Sequence, residues 1–204
     1  MSDANPNARL EAFCDGVFAI AATLLVIDVK LPSTAPIEST AGLWLALRHA
    51  GPAIAAFVLS FAIIFITWVN HHATLKLVGK SSPAFIYANG LLLLSVVFLP
   101  FPTGLLGEYV LTDHASPAVA LYNAVLAVQG VAWILMSETV RWGSLARSER
   151  TAAQIRASGR FGWVALVIYA LCAVLALRFP RTVAAITVVI WIFWLVLGIT
   201  MKPE

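Results

Sequence analysis

The stretch Arg9–Pro32, RLEAFCDGVFAIAATLLVIDVKLP, decides the fold of this chain. It is an apolar run long enough for a helix to cross a bilayer, which takes about 20 residues. Yet it opens on an arginine, a carboxylate at Asp15 and the helix-weakening Gly16, and a plain anchor needs none of them. On a regular helix Phe13, Gly16, Ile20, Leu24, Ile27 and Leu31 share one stripe, with Thr23 on its border. Ala19, Ala21 and Ala22 lie around it and let other helices approach closely. The stripe suits helix packing first, as any apolar stripe at this spacing does, and alternatively the wall of a narrow pore. Branched apolar side chains there would form a constriction that gates by dewetting. Ile20 would then set the radius, and Thr23 would offer hydroxyl oxygens to a partly dehydrated cation.

The remainder of the chain has the same character. Of 204 residues, 61% are hydrophobic and only 11% charged, and the mean hydropathy is +0.90. Soluble domains carry roughly a quarter charged residues, so this is a membrane protein. Lipid leaves only helices or closed barrels as spanning structures, and the runs lack the alternation of barrel strands. The expected fold is all-α, a single six-helix transmembrane domain over 1–204. The spans are Glu11–Leu31, Pro52–Val69 (entering from about Leu43), Ala84–Leu106, Pro117–Met136, Phe161–Leu177 and Val183–Met201. The segment 138–160 reads as a basic cytoplasmic loop, and Arg178–Arg181 as a tight hairpin stopped by Pro180.

Lysine and arginine set the orientation. With the N-terminus inside, nine face the cytoplasm (Arg9, Lys76, Lys80, Arg141, Arg147, Arg150, Arg156, Arg160, Lys202) and four face out (Lys30, Arg48, Arg178, Arg181). Both termini are expected in the cytoplasm, and the protein in the cell membrane among its lipids. The opening residues MSDANPNA lack the basic region of a cleavable signal peptide. Cys14 and Cys172 fall in apolar runs and read as buried thiols rather than a disulfide. Zinc spacings, phosphate-binding glycine loops and nucleophile elbows are missing. Neither enzyme activity, metal, cofactor nor nucleic-acid partner is expected.

A carboxylate inside a membrane is expensive and needs protein, water or a partner. Asp15 shares its leaflet with Trp68, Asn70, His71, His72 and Asn89, so a polar cluster of Arg9, Asp15, His71 and Asn89 is expected on depth alone. It would clamp helix one, or relay protons, or gate. The adjacent histidines have no carboxylate or cysteine near them in sequence, which argues against a metal.

These residues closely resemble the transmembrane protein 175 family of potassium channels. Arg9-x-x-x-Phe13-Cys14-Asp15 is similar to the RxxxFSD motif that opens the family's first helix, with Cys14 in place of serine. Trp68-x-x-His71-His72, Asn89-Gly-Leu-Leu and Leu99-Pro-Phe-Pro-Thr103 extend the likeness through the first half of the chain. The resemblance implies a cation channel without a carbonyl filter, built in its single-unit form as a homotetramer around helix one. It places the constriction on Ile20, further apolar layers on Leu24 and Ile27, and the hydroxyl position on Thr23. It assigns Arg9, Phe13, Asp15, Trp68, His71 and Asn89 to the motif and its interhelical network. Passive, modestly selective conduction of potassium over sodium follows. From the residues themselves, Asp28 just beyond the neck would concentrate cations, although Lys30 close by weakens that field. The alternative is a proton-coupled secondary transporter using Asp15 and His71, but no inverted repeat supports it.

Overall fold

The structure, a computed structural model, describes residues 6–30 and 38–200, with side chains through Val196. The expected ends at Leu31 and Met201, and Lys202, lie outside the described residues. Helix α1 runs Ala8–Leu24 and tightens into a 3-10 turn, Leu25–Asp28. Then come α2 (Thr40–His49), α3 (Gly51–Leu77), α4 (Pro83–Phe98), α5 (Pro100–Tyr109), α6 (Ala115–Trp142), α7 (Glu149–Ala176) and α8 (Pro180–Thr200). Five segments among the described residues are long and apolar enough to cross a membrane, with α4 and α5 counted together. The fold is an all-helical bundle of membrane-spanning helices.

Several boundaries differ from those expected, for physical reasons. Helix α3 continues past Val69 to Leu77, and α7 begins at Glu149 rather than Phe161. Polar residues mark where lipid ends, but helical hydrogen bonding continues into the aqueous layer. The 138–160 segment is therefore largely helix, leaving only 143–148 as the connection. Ser148 caps α7 through a reciprocal pair with Thr151. The third run breaks at Leu99, because Pro100 and Pro102 supply no amide hydrogen to continue the ladder. Pro180 opens α8, where its fixed φ suits the first helical position.

Helix α6 is the centre of the bundle, packed most extensively on α7 and then on α4. Gly130 and Gly162 let the α6 and α7 backbones meet: a Cβ on Gly130 would lie 2.8 Å from the Leu166 nitrogen. A polar knot ties α3, α5 and α6 together. The Ser60 hydroxyl lies 2.7 Å from that of Thr103 and 3.0 Å from that of Tyr122, all three buried. At one end Val78 and Ala146 form an isolated antiparallel bridge, joining the α3–α4 and α6–α7 connections. Asn7, immediately before α1, donates from its Nδ2 to the Val78 carbonyl at 3.0 Å and is 1% exposed. Helix α1 and its 3-10 turn pack only on the bundle's near side, against α3, α4 and α5. This is the barest long span: 22% of its apolar stretch is buried, against 61% for α6.

Candidate functional site: the two faces of helix α1

Cys14, Phe18, Ala21 and Leu25 are buried, spaced so that they form one stripe against the bundle. The other side of the helix carries Phe13, Gly16, Ile20, Thr23, Leu24 and Ile27, all exposed. Ile20 and Ile27 are both 60% exposed, which for branched side chains on one span is a large uncovered area. Thr23 lies on this stripe, and its hydroxyl donates to the Ile20 carbonyl at 2.9 Å. That bond occupies its only donor and leaves the oxygen lone pairs available. Asp28 closes the stripe, its carboxylate lying over Gly104 of α5, where a Cβ would come 3.3 Å from Oδ2.

The bundle side of α1 carries the polar contacts. The indole of Trp68 donates to Asp15 Oδ1 at 2.8 Å. Independently, Asn89 accepts from His71 Nε2 on its Oδ1 at 2.7 Å and donates from Nδ2 to the Cys14 sulfur at 3.1 Å. Helices α1, α3 and α4 are thus joined through two separate connections. The Asn89 orientation fixes the His71 tautomer, with Nε2 protonated, and Nδ1 has no partner among the described residues. Phe18 packs on the His71 ring at 5.3 Å between centroids, and Trp68 stacks on His72.

The structure therefore brings Asp15, Trp68, His71 and Asn89 together at the foot of α1 but leaves Arg9 and Phe13 outside that set. Arg9 is exposed and makes no hydrogen bond or ion pair among the described residues, and Phe13 is 64% exposed. A long cationic side chain at a helix start reaches water more cheaply than a buried carboxylate. Asp15 and His71 bond to different partners. Cys14, at the motif's serine position, enters the network as an acceptor. One participant escapes the sequence reading. Asn7 fastens the start of α1, and its one visible signal is its place just before the helix. Among the described residues no three His, Cys, Asp or Glu side chains gather as a metal site.

Comparison with known proteins matches this architecture. A sequence model described as "Endosomal/lysosomal potassium channel TMEM175" covers residues 9–100, from the motif through the break before α5. A potassium channel of Chamaesiphon minutus is 42% identical over 148 residues, 72% of this chain and 70% of the relative. The chain belongs to the TMEM175 family. Another member, a potassium channel of Streptomyces collinus, is 43% identical over 130 residues, 63% of this chain and 62% of that one. The crystal structure of a lysosomal potassium-selective channel TMEM175 homolog from Chamaesiphon minutus superposes with a TM-score of 0.83 at 32% identity. That superposition covers 94% of this chain and 97% of the other. These TMEM175 relatives are named as ion channels, not as enzymes.

Proposed function

We propose that the chain is the subunit of a potassium channel whose pore is lined by the exposed stripe of α1. Four copies surround the axis, each contributing one six-helix domain with α8 as its sixth span. Potassium passes down its gradient through an apolar neck at Ile20, with Leu24 and Ile27 as successive layers. Potassium sheds water more readily than sodium, which favours it at such a neck, and selectivity is modest because few dipoles replace the lost hydration. The Thr23 oxygen supplies one of them. Asp28 raises the local cation concentration at the outer mouth. No cofactor takes part.

The observation that carries this proposal is the division of α1 into a stripe fastened to its own subunit and a stripe left bare. Lipid alone is a poor explanation of the bare stripe, because it also holds Gly16, Thr23 and Asp28. The naming of the relatives as potassium channels supports the ion. For orientation, the support is that Asn7, Val78 and Ala146 meet at one end, beside most of the basic residues. Arg181 contacts the Leu111 carbonyl at the other end. Both termini then lie in the cytoplasm, with the protein in the cell membrane. A proton-coupled carrier finds less support, because Asp15 and His71 are not hydrogen-bonded to each other.

The test is ion flux from proteoliposomes of purified protein in potassium, sodium and caesium gradients. Wild type should conduct potassium electrogenically, and Ile20→Asn should raise flux and flatten selectivity by wetting the neck. Unchanged flux and selectivity in Ile20→Asn and Ile20→Ala would remove Ile20 from the constriction. Saturable counter-transport in place of electrogenic leak would establish the carrier.

A further inference from the structure

A groove of about 460 Å³ lies between α3, α5, α6 and α8, with no residue of α1 in its wall. That volume falls within the range of ordinary ligand sites, about 300–1,000 Å³. The gap exists because Gly51, Ala55 and Ala56 on α3 and Ala184 and Ala185 on α8 are too small to fill it. Ala55 and Ala185 are exposed, so the groove opens sideways, and in a bilayer its surroundings are acyl chains. The polar groups of Asn123, Thr187 and Tyr122 in the wall are already satisfied. Asn123 donates to the Val119 carbonyl at 2.9 Å, Thr187 bonds to Asn123 Oδ1 at 3.0 Å, and the Tyr122 hydroxyl belongs to the knot with Ser60. Among the lining residues Arg181 alone is charged.

Depth and charge select the occupant. The wall runs from Gly51 to Leu59 on α3 and from Arg181 to Trp191 on α8, which is about 12–15 Å at the helical rise of about 1.5 Å per residue. One leaflet supplies half of the roughly 30 Å of hydrocarbon, so the groove is as deep as one leaflet. At its head stands Arg181, the second residue of α8. Its guanidinium carries five N–H donors. One nitrogen donates to the Leu111 carbonyl at 3.2 Å and lies 3.5 Å from Asp113 Oδ1. The Arg181 side chain remains 62% exposed and that of Asp113 fully exposed. Such an exposed pair contributes little, and both groups stay open to other partners. The cation lines the groove, and the carboxylate stands outside the wall, toward water. A headgroup with its phosphate next to the chains and an ammonium beyond matches that order. A purely anionic headgroup would meet like charge at Asp113.

We propose that this groove holds one acyl chain of a phosphatidylethanolamine, with the lipid phosphate on Arg181 and its ammonium on Asp113. Guanidinium and phosphate form strong, charge-assisted hydrogen bonds, and the chain covers apolar wall that the helices leave bare. The site rests on the reading of α8 as a membrane span and not on ion conduction. Failure to bind this lipid would therefore leave the channel reading standing.

The experiment titrates delipidated full-length protein in detergent with dioleoyl phosphatidylethanolamine, dioleoyl phosphatidylglycerol or oleate, and follows bound lipid by native mass spectrometry. Wild type should bind one phosphatidylethanolamine per chain, several-fold more tightly than phosphatidylglycerol. Arg181→Gln should weaken both phospholipids about tenfold, equivalent to about 1.4 kcal/mol. Asp113→Asn should erase the preference between the two headgroups while leaving the affinity for phosphatidylglycerol the same or higher. Ala185→Phe, which places a ring in the groove, should abolish the saturable binding. Arg178→Gln, a charge change outside the wall, should alter nothing. Equal or tighter binding of phosphatidylglycerol by wild type would overturn the proposal. So would oleate binding as tightly as phosphatidylethanolamine, or equal affinities in wild type, Arg181→Gln and Ala185→Phe.

Discussion

Single residues at the foot of α1 do different work from those along its bare stripe. Asp15 accepts from an indole, and asparagine in its place keeps an oxygen for that bond. Asp15→Asn should therefore fold and conduct potassium, losing only the excess of a charged over a neutral hydrogen bond, about 1 kcal/mol. Thermal unfolding and liposome flux read the two effects; loss of flux with stability retained would make Asp15 part of the ion or proton path instead. Asn89 is less replaceable, since it bonds on both sides. Asn89→Leu strands the His71 Nε2 proton and should cost about 1–3 kcal/mol, seen as a lower unfolding temperature. Much of this cluster is visible in the sequence, because a carboxylate, a tryptophan and two polar side chains at one membrane depth have few other ways to be satisfied. Depth does not reveal pairing. That Asp15 meets Trp68, whereas His71 meets Asn89 and Cys14, depends on the rotation of three helices about their axes. Depth also groups Arg9 with them, yet it stands apart in the fold.

At the level of helices, the sequence reveals apolar runs far better than their ends. Hydropathy falls after Val69 although the helix does not end there, so Asn70–Leu77 and Glu149–Arg160 read as loops while belonging to helices. The break at Leu99 is legible in Pro100 and Pro102, but the continuous apolar run masks it. That break matters for the end of the bare stripe, because it delivers α5 and Gly104 beneath Asp28. Gly104→Ala brings a methyl within 3.2–3.4 Å of the Asp28 side chain and must shift it by a few tenths of an ångström. If Asp28 gathers cations, Asp28→Asn should lower potassium conductance at 0.01 M salt, where the screening length is about 30 Å, far more than at 1 M, where it is about 3 Å. Gly104→Ala should produce a smaller change with the same salt dependence. Equal loss of conductance at both salt concentrations would place Asp28 in a structural role. In the bundle core, Gly130→Leu has no room against the Leu166 backbone and should abolish folding or assembly, as judged by size-exclusion chromatography.

For the whole molecule, the uneven burial of its spans is the leading fact. A bundle whose central helix is well covered and whose first helix is bare on one side is an incomplete object. Its assembled mass should be four times the 21.9 kDa of the chain in native mass spectrometry, and Ile20→Asp, placing charges around one axis, should shift it toward smaller species. The whole also contains a path of force. The carbonyls of Leu77 and Leu145 accept from Arg147 and Gly79 across the bridge at Val78 and Ala146, and Val78 in turn holds Asn7 at the head of α1. A pull on the 143–148 turn is thus delivered to the start of the helix that bears the bare stripe, without passing through the lipid-embedded core. The connections at this end therefore work as a mooring: the head of α1 is made fast to the same short bridge that joins the α3–α4 and α6–α7 turns.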